Sequence, residues 1–148
     1  MKKYLFYQDR IRLPAQAIVE MVLLLPILLI LVLGAMDFGR LFTTKIVLTN
    51  AAREGVNYLS ENPDDQGNCD VNGVCYLETI SVIQEEANNS GVTIDTGDVT
   101  VNSCCTPGNP VEVVIVRPAG LILGNVLQAL GIINAPVTLT SKVEMVVQ

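Results

Sequence analysis

The chain has 148 residues, half of them apolar, and carries nine basic side chains, fifteen acidic ones and no histidine. That length leaves room for one helix through a bilayer and one domain of ~100 residues. An acidic chain without a basic patch excludes ordinary nucleic-acid binding, because phosphates demand lysine and arginine; the lack of histidine removes the usual general base and the commonest neutral metal ligand.

Residues 1–15 hold Lys2, Lys3, Arg10 and Arg12 against Asp9, a local charge of +3, whereas residues 40–148 sum to −7. Between them, Ala17 to Met36 is nearly solid Ile, Leu, Val, Ala and Met, broken by Glu20 and Pro26. Twenty helical residues rise ~30 Å, the thickness of a hydrocarbon core. A buried core helix would need more protein around it than a domain of this size supplies. A cleaved secretory signal would have a shorter apolar stretch and a small-x-small site after it, but this one runs straight into Asp37-Phe38-Gly39-Arg40. A permanent anchor in the lipid bilayer is the best reading. The basic leader then stays cytoplasmic and the acidic part lies outside the cytoplasm. Pro26 lacks a backbone donor and should loosen the helix against the carbonyl of Val22. Glu20 is costly in a span unless it meets water at headgroup depth or finds a partner.

From Phe38 on, Phe38, Leu41, Phe42, Leu48, Ala52, Val56 and Leu59 recur roughly every three or four residues with polar residues between. This predicts an amphipathic continuation of the same helix, from Gln16 to Ser60 in all, with that stripe packing the outer domain or a partner. Asn62-Pro63-Asp64-Asp65-Gln66-Gly67-Asn68 is an exposed loop. A second helix is predicted from Tyr76, with Leu77, Ile80, Ile83 and Ala87 on one side and Asn88-Asn89-Ser90-Gly91 closing it. Three strands should follow. Val99, Val101 and Ser103 alternate with polar residues; Val111 to Val116 reads as buried on both faces; Val137 to Val147 alternates cleanly. The very apolar Leu121 to Ile133 is either a short helix on the sheet or a patch that touches the membrane or another subunit. The fold class is α+β: a long transmembrane helix continuing into an amphipathic helix, packed on a small antiparallel sheet with a second short helix.

Four cysteines, Cys69, Cys75, Cys104 and Cys105, allow three pairings, and outside a membrane disulfides are the default. Cys69 with Cys75 is the simplest bridge; links from that loop to Cys104 or Cys105 are equally open. Zinc is the alternative, although ligand sets favour spaced pairs. Asp37-Phe38-Gly39 is spelled like the magnesium-binding motif of protein kinases but lacks every other part of that fold; Asp37 and Arg40, one turn apart, can pair with each other instead. Asp64-Asp65 and Glu85-Glu86 read as solubilising charge. No nucleophile, base and metal set converges, so no catalytic residue, cofactor or metal site is assigned and the chain reads as a non-enzyme.

The run Ala15-Gln16-Ala17-Ile18-Val19-Glu20-Met21, the span with Pro26 and Gly34, Asp37-Phe38-Gly39-Arg40, and Leu48-Thr49-Asn50-Ala51-Ala52-Arg53-Glu54-Gly55 together resemble the TadE-like family, pseudopilin-like proteins of the tight-adherence (Flp) pilus assembly system. That family has Gly where Ala15 stands and commonly Phe or Tyr where Met21 stands. The resemblance implies a pilin-like architecture and cleavage between Ala15 and Gln16 by a prepilin-type peptidase. It also implies that Glu20 serves subunit association, pairing with the free amine of a neighbouring subunit. The implied partners are other pilin-like subunits and the inner-membrane pilus platform. The domain organisation expected is a leader at 1–15, a transmembrane helix at 16–39, its continuation at 40–60 and an extracytoplasmic domain at 61–148. The expected function is that of a minor pilin or pilus assembly component in the cytoplasmic membrane; a membrane-anchored extracytoplasmic binding module is the alternative.

Overall fold

A computed structural model describes residues 12–62, 65, 67, 76–102, 108–132 and 137–146. One helix, α1, runs from Arg12 to Glu61 through Pro26. Its 50 residues extend over ~75 Å. It begins one turn earlier than the apolar pattern predicts, and Pro14 falls within its first turn, where the missing backbone donor costs nothing.

The remaining elements pack on the distal half of α1. Helix α2 spans Leu77–Asn89. A 3-10 turn at Thr96–Asp98 leads into β1 at Val99–Asn102, followed by β2 at Pro110–Pro118, helix α3 at Ile122–Ala129 and β3 at Thr138–Val146. The three strands form an antiparallel sheet in the order β1-β2-β3. Register pairs Val101 with Val113 and Val113 with Val143. The α+β architecture expected from the sequence, pilin-like in its long helix capped by a small sheet, is what the chain adopts.

The core lies between α1, α2 and one sheet face. Val47, Leu48, Ala51, Ala52 and Val56 of α1 meet Ile83 and Ala87 of α2 and Val113 and Ile115 of β2. Leu59, Val111 and Tyr76 close the far end. Each large apolar side chain buried there contributes ~1.5–3 kcal/mol. Small residues set the helix spacing: Ala51 and Ala52 are fully buried, and a Cβ on Gly55 would lie 2.5 Å from Ile83 Cδ1. Strand β3 is pinned to α1 by the Lys45 ammonium, which donates to the Thr140 carbonyl, and by Thr49 Oγ1 with Ser141 Oγ at 3.1 Å.

Two expectations about faces need correction. Phe38 and Phe42 lie outside the packed stripe, 71% and 62% exposed; the buried face of α1 instead runs through Asp37, Val47, Leu48, Ala51, Ala52, Val56 and Leu59. A 3.6-residue period admits two neighbouring stripes, and the sheet takes the one with small residues because it allows closer approach. Strand β2 is buried on one face only: Val111, Val113 and Ile115 face α1, whereas Val114 is half-buried and Val116 exposed. Both helices that pack on the core lie on the same side of the sheet, so the other face meets solvent.

Across that open face the Lys142 ammonium pairs with Glu112, and the Asn102 amide donates to Glu112 Oε1 at 3.1 Å. These contacts, Lys142 first, hold the Glu112 carboxyl below the usual carboxylate range, and Glu112 in turn raises Lys142. A depressed carboxylate stabilises the fold above its unfolded pKa and loses that contribution as pH falls through the folded value; the raised lysine loses its share only as pH rises through its own folded value. Urea midpoints of the parent and Glu112→Gln should therefore differ at neutral pH and converge as the solution is acidified through the carboxylate range.

Candidate functional site

The features that bear on function lie along α1. From Gln16 to Val32 every side chain is exposed, and the apolar window is 0% buried by the rest of the chain. This rules out the core-helix reading, since the folded domain leaves the span bare; a long apolar N-terminal helix of this kind fits a single-pass membrane protein. Glu20 lies on this bare segment, exposed. Ala15 and Gln16 lie within the first two turns of α1. Cys69, Cys75, Cys104 and Cys105 lie outside the described residues, as do the leader up to Ile11 and Pro63, Asp64, Gln66 and Asn68 of the predicted loop.

Where the span meets the domain, Asp37 is 5% exposed. It does not pair with Arg40, as its spacing suggested. Its Oδ1 accepts from the Ile122 amide at 2.9 Å and its Oδ2 from the Leu123 amide at 2.7 Å. These are orphan N–H groups at the start of α3, whose own N-cap residue, Leu121, makes no side-chain cap bond. A carboxylate placed there satisfies two donors and complements the helix dipole. Within that apolar segment, Ile122–Ala129 is thus a helix held against α1 at the end of the span, rather than one laid on the sheet. Leu123 reaches the position of Gly34, where an added Cβ would stand 3.9 Å from Leu123 Cδ2.

Asp65 repeats the device for α2. It is 6% exposed and not the solvated charge expected. Its Oδ2 accepts from the Thr79 amide at 2.8 Å and the Thr79 hydroxyl at 2.5 Å, and its Oδ1 from the Glu78 amide at 3.3 Å. Tyr76, which precedes α2, has left-handed backbone and no side-chain cap bond, so the donors at the start of α2 are met from the preceding loop. A sequence signal for both long-range caps existed: neither Ala119-Gly120-Leu121 nor Cys75-Tyr76 contains a capping Ser, Thr, Asp or Asn.

The motif residues of α1 thereby acquire physical roles. Asp37 docks α3, and Gly39 leaves open space around it. Ala51, Ala52 and Gly55 let α2 and the sheet approach, and Arg53 and Glu54 point to solvent. Phe38, Phe42 and Ile46 form an exposed apolar line on α1 just beyond the span. Glu85 is exposed, as expected of solubilising charge, whereas Glu86 is half-buried. Among the described residues no three acidic or cysteine side chains gather as a metal-ligand set.

Residues 15–57 match the family model described as TadE-like protein. The resemblance drawn from the motifs is thus supported over α1, and it points to a component associated with the tight-adherence pilus system. No curated protein and no solved structure matches the chain.

Proposed function

We propose that this TadE-like chain is a minor pilin or assembly component of a tight-adherence (Flp) pilus, anchored in the cytoplasmic membrane and acting by lateral helix association. The observation that carries this reading is the TadE-like match over a helix whose apolar span its own domain leaves uncovered. The leader at 1–15 is cytoplasmic, the helix crosses at 16–39 and continues at 40–60, and 61–148 form the extracytoplasmic domain, an orientation supported by the +3 leader against the acidic outer part. A prepilin-type peptidase cuts between Ala15 and Gln16, which exposes a free amine and makes Glu20 the fifth residue of the mature chain. In lipid an unpaired carboxylate is expensive, so a neighbouring subunit's ammonium rewards one stagger over others. From the outer end of the span onward, Phe38, Phe42 and Ile46 give pilin-like subunits an apolar line to pack on. The role is placement within the assembly, with the inner-membrane platform as the wider partner and no catalytic step of its own.

Co-purification from membranes tests the reading. Glu20→Gln should insert normally yet lose at least about tenfold in recovery of partner subunits, the size expected when one buried charge loses its partner. Unchanged recovery would overturn the assigned role of Glu20. A membrane-extracted chain whose mass begins at Met1 would overturn the cleavage. Replacing the whole span by an unrelated apolar helix without loss of partners would favour a tethered binding module instead.

A further inference from the structure

Residues on β2 alternate faces, so Arg117 follows Val111, Val113 and Ile115 on the side turned to α1. There it lines a cleft of about 200 Å³ together with Arg40, Leu41 and Thr44 of α1, Gly91 and Val92 beyond α2, and residues 118–121. Among the described residues no acidic side chain lines this cleft, although the outer part of the chain is acidic. Nη1 of Arg117 is buried and finds no hydrogen-bond partner among the described residues. Arg40 makes no ion pair among the described residues, and the carboxylate one turn before it, Asp37, is engaged by the amides of α3. A buried guanidinium nitrogen without an acceptor is costly. Two arginines lining one small space complement an anion, and the planar fork of a guanidinium suits phosphate oxygens. The volume is below the ~300 Å³ at which ordinary small-molecule pockets begin, a size for a phosphate group rather than a whole metabolite.

The position of the cleft along α1 identifies the source of that phosphate. Arg40 is four residues beyond Met36, the end of the apolar block, or ~6 Å along the helix. The headgroup layer on each side of a bilayer is ~5–8 Å thick, so the Arg40 edge of the cleft falls within it and the Thr44 edge, ~12 Å beyond Met36, lies just above. Helix α3 sits beside the end of the span, held by Asp37, with Leu123 over Gly34. None of its residues is buried, and Val126, Leu130 and Ile132 are 47%, 67% and 64% exposed. No charged side chain occurs from Pro118 to Ser141. Eight helical residues cover ~12 Å, far too little to cross a bilayer but suited to lying in its interface.

We propose that the Arg40–Arg117 cleft holds the phosphate of an anionic lipid of the adjacent leaflet, with the apolar residues of α3 resting among that leaflet's acyl chains. The lipid would then fix the height and tilt of the outer domain over the membrane. This rests on the assignment of Ala17 to Met36 as the membrane span.

The test uses the full chain in mild detergent, with native mass spectrometry after addition of phosphatidylglycerol, phosphatidylcholine or inorganic phosphate. One phosphatidylglycerol per chain should be retained in preference to phosphatidylcholine, and Arg40→Gln and Arg117→Gln should each weaken that retention about tenfold, the worth of one charge-assisted contact. Arg40 is exposed, so R40Q reports on the cleft even if R117Q perturbs folding. Equal retention by R40Q and the parent would overturn the proposal. So would inorganic phosphate displacing the lipid, since the cleft would then be a free-anion site. Because the chain contains no tryptophan, Leu130→Trp gives a single indole signal in nanodiscs; quenching by lipids brominated on their acyl chains is expected, and an unquenched signal would overturn the seating of α3. Release of the chain by alkaline carbonate would refute the span itself, an outcome separate from failure of the cleft.

Discussion

Gly55→Ala should destabilise the outer domain by ~1–3 kcal/mol, the range for a methyl forced into a packed core. Helix propensity alone predicts the opposite sign, because replacing glycine by alanine within a helix ordinarily gains ~1 kcal/mol. What reverses it is the crossing of α1 and α2. The new Cβ would stand 2.5 Å from both Cδ1 and Cγ1 of Ile83. Ile83 is fully buried within the main cluster, so it has no vacant space into which to retreat, and the two helices must separate. Gly39→Ala is the internal control, for no described residue lies within 4 Å of an added Cβ there and only the propensity gain remains. Urea unfolding of the full chain in detergent checks the pair: a lowered midpoint at unchanged slope for G55A, and an equal or raised one for G39A. Ile83→Val, which removes Cδ1, should cost ~0.5–1.5 kcal/mol alone and less than that in the G55A background. Additive effects would show that the clash is not what constrains position 55.

The pattern that was legible in the sequence is the pattern carried by near neighbours. A run of apolar residues, a 3.6-residue stripe and a two-residue alternation are local, and they marked α1, α2 and all three strands. The spelling of Ala51-Ala52-Arg53-Glu54-Gly55 was also legible as a motif, although its cause, close approach to Ile83, appears only when α2 folds back onto α1. Contacts across long stretches of chain were not legible. Asp37 caps a helix 85 residues later, and no spacing rule joins such positions; its near neighbour Arg40 was the natural partner on paper and the wrong one. Asp65 looked like loop charge because its loop is polar, yet it is buried by the helix it caps. Phe38 and Phe42 fit the hydrophobic stripe by period, but period alone cannot weigh a bulky stripe against an adjacent one of small residues. Arg117 ends an apolar strand without any sign that it would line a cleft with Arg40.

Asp37→Ala should release α3 from the membrane end of α1 while leaving the distal core intact. The carboxylate accepts two backbone N–H bonds at 2.9 and 2.7 Å. Removing it leaves two buried-edge donors at a helix start with no local substitute, since Leu121 offers no side-chain acceptor. Caps of this kind are worth ~0.5–2 kcal/mol, and a charged acceptor that is only 5% exposed belongs at the upper end. An eight-residue helix is too short to persist by propensity alone, so the loss should be large relative to the stability of α3 and small relative to that of the domain. Hydrogen exchange separates these: the amides from Ile122 to Ala129 should lose protection by at least about tenfold, whereas those of Ile83, Val113 and Ile115 should keep theirs. Asp37→Asn, which retains one acceptor oxygen without the charge, should fall between. If the α3 amides stayed protected in Asp37→Ala, the helix would be held by its apolar contacts with the span, and the aspartate at the membrane exit would need another explanation.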